Sequence, residues 1–272
     1  MPDRRRELED EDAENEVREA VEAPDGAEEA DLPLGAGERE ERHAGSWARW
    51  LPEDADVPRI FADRTEAGLL LARRLRDEGL SGGAVILGIP RGGVEIGAVI
   101  ARELDAPLDV VIPRKVGAPG NPELGLGAIA EGVRVLDQRL IRTLGVTEEY
   151  LDREILAQEE EIRRREHAYR GDRPPVAVAG LTAVVVDDGV ATGGTAMAAV
   201  LWAKRSGAGS VVFAAPVAPA DAVQRLAEEA DGVTVLLTPE HFFAVGQWYA
   251  DFPQVADERV VELLRTAAGP GS

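Results

Sequence analysis

Asp187 and Asp188 stand side by side where a run of β-branched residues stops, in the stretch VVVDDGVATGGT at 184–195. A strand that ends on two mutually repelling carboxylates calls for a partner. A vicinal diol offers them two hydroxyl donors, and a divalent cation relieves the repulsion directly. The residues that follow, Gly189, Ala191, Thr192, Gly193, Gly194 and Thr195, open a helix. Their amides and the helix N-terminus can surround a phosphate, and the glycines let the backbone come close to it. The stretch has no Walker lysine and no G-x-G-x-x-G spacing. Taken alone, an aspartate pair at a strand end is as compatible with a turn or a helix cap as with a ligand. Two further clusters supply positive charge: Pro90-Arg91-Gly92-Gly93, and Pro113-Arg114-Lys115. Each in isolation reads as a turn or a solvated charge, although Lys115 and Lys204 are the two lysines of the chain.

These groups need a frame. Asp63 with Glu66 three residues on forms a capping-box start, and Leu69, Leu70, Ala72 and Leu75 continue it as a helical stripe to Gly79. Ala84–Gly88 reads as a short buried strand, followed by PRGG, a helix through Leu104 and a second strand from Leu108 to Ile112. Strand, glycine turn, helix, strand is the pattern of a parallel βαβ unit. Residues 116–137 suggest a glycine-rich loop and a hairpin, and Thr147 to Tyr169 a charged helix that stands as an appendage on the sheet. Leu181–Val186, Ser210–Ala215 and Val233–Leu237 supply three more strands, separated by helices over 195–206 and 220–230. The expected fold is α/β: a doubly wound, mainly parallel five-stranded sheet with a helical insertion at about 146–170. Ligands bind such sheets beyond the carboxyl ends of the strands. Those ends gather the arginines, the lysine, the acidic pair and the aromatic segment TPEHFFAVGQWYADF at 238–252, a set suited to phosphates, ribose hydroxyls and a planar ring.

Composition narrows the field. The net charge is −21, which argues against a general affinity for nucleic acid or anionic membranes. Residues 1–55 form an acidic tail whose composition cannot bury enough apolar surface to order it, with Trp47 and Trp50 near its end. The folded domain is expected over 56–267 and a flexible C-terminus over 268–272. There is no cysteine, the first twenty residues are mostly charged, and the longest apolar run, Val176 to Val186, is too short to span a bilayer. A cytoplasmic protein without a membrane segment is the expectation. His43, His167 and His241 are scattered, and no G-x-S-x-G or H-E-x-x-H occurs, so a hydrolase reading is weak.

VVVDDGVATGGT resembles the phosphoribosyl pyrophosphate signature of the type I phosphoribosyltransferases, two acids after hydrophobics and then T-G-G-T. The segments GIPRGG, PRKVGAPGNPELGLGAIAEG and FFAVGQWYADF extend the resemblance over roughly 58–265, closest to bacterial and archaeal members without a settled substrate. The resemblance implies that Asp187 and Asp188 hold the ribose hydroxyls, directly or through Mg²⁺, and that the loop from Ala191 to Thr195 binds the 5′-phosphate. It implies pyrophosphate contacts from Arg91, Gly92 and Gly93. Arg114, Lys115 and the 116–125 segment would close over the reacting centre, with Phe243, Val245, Trp248 or Tyr249 forming a small hood over the base. It implies transfer of the phosphoribosyl group to a nucleobase-like acceptor with Mg²⁺ as cofactor, in a homodimer, as in nucleoside salvage. The alternative it leaves open is a regulator that binds phosphoribosyl pyrophosphate without turnover. Where hypoxanthine-guanine members carry an aspartate in the phosphate loop, this chain has Ala191.

Overall fold

The computed structural model describes residues 59–80 and 83–267, which fall within the compact unit Ser46–Ser272. The expected acidic tail, with Trp47 and Trp50, and the expected flexible C-terminus lie outside the described residues.

Five strands, β1 (Ala84–Gly88), β2 (Leu108–Val110), β6 (Thr182–Val186), β7 (Ser210–Val217) and β8 (Gly232–Leu237), pair in parallel in the order β2-β1-β6-β7-β8. This is the doubly wound sheet expected from the pattern of short apolar runs. The runs are continuous rather than alternating because both faces are covered. On one face Ile86, Val184, Val186 and Ala214 meet α1 (Arg64–Asp77), α2 (Gly92–Leu104) and α7 (Asp257–Ala267). On the other, Val85, Leu87, Val185 and Phe213 meet α5 (Gly194–Arg205) and α6 (Ala220–Ala227). Winding changes direction between β1 and β6, whose registers match Gly88 to Val186. A crevice therefore opens between the loops that leave these two strands. PRGG leaves β1 and DDGVATGGT leaves β6.

Of the loop and hairpin expected over 116–137, the hairpin is present, its strands pairing antiparallel between 127 and 136, whereas the loop contributes a further strand. Together they form a three-stranded antiparallel sheet, β3 (Arg114–Ala118), β4 (Asn121–Ala130) and β5 (Val133–Leu136). Glycine marks close approach here rather than disorder: a Cβ on Gly117 would lie 2.9 Å from Pro122 Cα, at a point where the β3–β4 register shifts. A short helix, α3 (Gln138–Leu144), follows, capped by Asp137, which accepts from the Leu140 amide.

Helix α4 (Glu148–Arg170) starts at the Thr147 cap and is built into the fold. Ile155, Ile162 and Tyr169 are buried in the main hydrophobic cluster. The Tyr169 hydroxyl donates to Asp257 Oδ1 at 2.6 Å, and Arg170 donates to Asp109 Oδ1 at 2.9 Å and to the Val110 carbonyl at 2.7 Å. Asp109, buried in β2, also accepts from the Val176 amide. Such a fully satisfied buried charge is tolerable, and it fastens α4 to the sheet edge. None of the described helices is long and apolar enough to cross a membrane.

Candidate functional site

The acidic pair sits at the switch point. Asp187 donates its amide to the Ala214 carbonyl, and its Oδ1 accepts the Asp188 amide at 2.9 Å. The two carboxylates are treated unequally. Arg64, the first residue of α1, donates from Nε (2.9 Å) and Nη2 (2.8 Å) to Asp188 Oδ2. Its Nη1 donates to the Pro253 carbonyl at 2.8 Å, and its guanidinium lies 3.9 Å from the centroid of the Phe252 ring. Glu95 stands 3.6 Å from Nη1. Asp187 forms no ion pair with a described residue. Burial, followed by the Asp188 charge, pushes its carboxyl well above the ordinary aspartate range. Burial raises Asp188 too, with Arg64 opposing.

The loop leaving β1 presses against this pair. A Cβ on Gly92 would overlap Asp188 Oδ2 and lie 2.9 Å from Arg64 Nε; one on Gly93 would overlap the Val186 carbonyl. Both glycines are thus required by approach to the acids. The Pro90–Arg91 peptide is cis. Arg91 is partly exposed beside α2; its carbonyl accepts the Val94 amide, and its side chain forms no hydrogen bond or ion pair with a described residue.

Beyond the acids, Val190 donates its amide to Val217, fixing the start of the loop. Gly193 turns it at φ +78° as the cap of α5, a conformation that suits glycine. Among the described residues the amides of Ala191, Thr192 and Gly193 donate to nothing. Those of Gly194 and Thr195, at the first positions of α5, have no intrahelical acceptor. Five consecutive amides beside the Thr192 and Thr195 hydroxyls, at the N-terminus of a helix, have the chemistry to hold an anion. The Thr192 carbonyl is held by Arg225 Nη2 at 3.0 Å.

The aromatic segment divides. Tyr249 is buried, its ring 4.8 Å from Phe252 and 5.5 Å from Phe61, and its hydroxyl donates to the Asp188 carbonyl at 2.6 Å. Burial, then the Asp188 charge, pushes that phenol above its ordinary range. Val245, in a 3₁₀ turn over Val245–Trp248, fills the space that a Cβ on Gly189 would need. Trp248 lies 6.5 Å from Phe242, nearly parallel, and its buried Nε1 has no acceptor among the described residues. Phe243 is 88% exposed.

Arg114 and Lys115 belong to β3 rather than to a loop, and their partners are not the acids. Arg114 Nε donates to Gln158 Oε1 on α4 at 2.9 Å, and Lys115 Nζ donates to the Glu123 carbonyl at 2.9 Å across the β3–β4 turn. Tyr150 on α4 donates to the Gly117 carbonyl at 3.1 Å, so α4 grips the same turn. The residue that sequence reasoning missed is Arg64. It lies 124 positions from Asp188, and an arginine at the start of a helix gives no local sign of such a partner.

Among the described residues, a carboxylate pair relieved on one side, a turn of amides without acceptors and an arginine side chain without a partner have chemistry compatible with a diol and phosphates. Comparison agrees: the phosphoribosyl transferase domain family model matches residues 67–252, and the chain belongs to this family. Two Mycobacterium tuberculosis proteins, from strains H37Rv and CDC 1551 and each named "Putative phosphoribosyl transferase", are 46% identical to it over 211 residues, 77% of this chain. The chain spans 47% of their length, about half. The solved structure of TT1426 from Thermus thermophilus is 46% identical, covers 77% of this chain and 100% of its own, and has a TM-score of 0.67.

Proposed function

We propose that this chain transfers the 5-phosphoribosyl group of phosphoribosyl pyrophosphate to a ring nitrogen of a base and releases pyrophosphate. The observation that carries the reading is the turn at 191–195, whose amides lack acceptors among the described residues, following two carboxylates of which Arg64 pairs with Asp188. In this reading the turn holds the 5′-phosphate and Asp187 with Asp188 face the ribose hydroxyls. Gly92 and Gly93 bring the β1 loop close enough for Arg91 to meet the pyrophosphate. The C1–oxygen bond to pyrophosphate breaks, the base nitrogen bonds to C1, and the nitrogen loses its proton. Positive charge developing at C1 leaves little covalent work for the protein: it positions the ring, excludes water and stabilises the departing charge. Val245, Trp248 and the exposed Phe243 would line the base side, while Tyr249 supports Asp188 from below.

Among the described residues no three metal-ligating side chains gather. Two carboxylates completed by substrate oxygens fit Mg²⁺, which is commonly held by one or two carboxylates and phosphates rather than an all-protein cage. Mg²⁺ bound there would neutralise diphosphate charge.

Lys115 and Arg114 reach the reacting centre in this reading only if the β3–β4 turn moves. Lys115→Ala is expected to lower kcat about 100-fold with little change in affinity for phosphoribosyl pyrophosphate. Steady-state kinetics beside calorimetry checks this; equal losses in both would make Lys115 a plain binding residue. The present partners of these cations, Gln158 and Glu123, favour a second reading: a regulator that binds phosphoribosyl pyrophosphate without turnover. Incubation with phosphoribosyl pyrophosphate, Mg²⁺ and a cell metabolite extract decides between them. A new nucleotide by mass spectrometry with released pyrophosphate supports transfer. Binding without either product supports the regulator.

A further inference from the structure

We infer that Arg64 is a positioning residue for the sugar site: it fixes the Asp188 carboxylate so that the acidic pair meets the ribose in one orientation. The inference rests on the phosphoribosyl reading. Its ground is the number of independent contacts on one guanidinium. Nε and Nη2 both donate to Asp188 Oδ2, which pins that oxygen and leaves Oδ1 and the Asp187 carboxyl without a basic partner among the described residues. Nη1 holds the Pro253 carbonyl, and the flat face covers Phe252. Tyr249 secures the main chain of the same aspartate. Gly92 leaves room for the Arg64–Asp188 contact, since a Cβ there would strike both. The side chain of Arg64 is only 8% exposed, so it is not placed to act as a surface ligand for phosphate.

The fork matters more than the charge. A lysine can place one ammonium near Oδ2, but it cannot hold Asp188, Pro253 and the Phe252 face together. Arg64 thereby joins three segments far apart in the chain: the start of α1, the end of β6 and the stretch after the hood. None of its contacts touches the 191–195 turn, so its influence should stop at the sugar.

The test uses the full chain with Arg64→Lys, Arg64→Gln, Asp188→Asn and the Arg64→Gln/Asp188→Asn double variant. Affinity for phosphoribosyl pyrophosphate with Mg²⁺ is measured by calorimetry, and affinity for inorganic phosphate alone by ³¹P NMR titration. The expected result is a loss of about 30-fold in phosphoribosyl pyrophosphate affinity for both single Arg64 variants, with phosphate affinity unchanged. The double variant should bind no more weakly than Asp188→Asn, because Arg64 acts through that residue. Arg64→Lys keeps a cation beside Asp188 and supplies the test if Arg64→Gln does not fold. Wild-type affinity in the lysine variant, an equal loss for phosphate, or additive losses in the double variant would each overturn the role. Failure of the unsubstituted protein to bind phosphoribosyl pyrophosphate would instead sink the phosphoribosyl reading, and with it the sugar that Arg64 is argued to serve.

Discussion

Asp188→Asn is expected to cost about 3 kcal/mol of unfolding free energy at pH 7, whereas Asp187→Asn should cost nothing or stabilise the protein. The chain neighbours differ because of what surrounds them. Asp188 neutralises an arginine that is almost entirely buried; Asp188→Asn takes the charge from two short hydrogen bonds and leaves Glu95, 3.6 Å from Nη1, as the remaining carboxylate partner, a loss of roughly 3 kcal/mol. Asp187 has no ion-pair partner among the described residues and suffers both burial and the Asp188 charge. For an acid whose folded pKa is raised, stability is present below its unfolded pKa and declines as pH climbs from there through the folded value. Asparagine removes that decline. Urea unfolding of the two variants at neutral pH, and of wild type against Asp187→Asn across the acid range, reads both effects. Equal stability losses for the two would mean that Arg64 does not distinguish them. For function the order differs: the double variant Asp187→Asn/Asp188→Asn should abolish calorimetric binding of phosphoribosyl pyrophosphate. Circular dichroism should show that the fold persists. Undiminished binding by a folded double variant would dismiss the assignment.

Gly92→Ala is the second large expectation. One methyl group there collides with Asp188 Oδ2 and crowds Arg64 Nε, and Gly92 begins α2, so the backbone has little room to yield. Overpacking of this kind costs about 1–3 kcal/mol. Relief by turning the Asp188 carboxylate would break its contact with Arg64. Phosphoribosyl pyrophosphate affinity should fall about 30-fold, as for the Arg64 variants, because the same charged hydrogen-bonded contact is lost. Gly194→Ala, where nothing lies within 4 Å of the added carbon, is the stability control and should unfold no more easily than wild type. If Gly92→Ala binds as well as wild type, the loop after β1 does not hold the acids in place.

Much of this arrangement is legible in the sequence, for identifiable reasons. Runs such as AVILG and TAVVV are buried on both faces, so the parallel sheet announces itself as unbroken apolar segments punctuated by glycine turns. Asp187 and Asp188 stand out because charge follows directly on such a run. What stays hidden depends on distant partners. Strands β3 and β4 are masked by glycines that serve close backbone approach at Gly117 and Gly127. The burial of Tyr249 and exposure of Phe243, six residues apart in one aromatic segment, follow from packing against Phe61 and Phe252 and from no periodicity in the segment itself. Helix α4, which reads as an appendage, is drawn into the core by Ile155, Ile162 and Tyr169. Arg64 gives no sign at all until α1 is laid across the end of β6.

The most direct test is a crystal structure of the protein soaked with phosphoribosyl pyrophosphate and Mg²⁺. Density should show the 5′-phosphate ringed by the amides of residues 191–195 and the ribose hydroxyls within hydrogen-bond reach of Asp187 and Asp188, with Arg64 still locked on Asp188. A ligand seated elsewhere, or a 191–195 turn left vacant at saturating ligand, would contradict it.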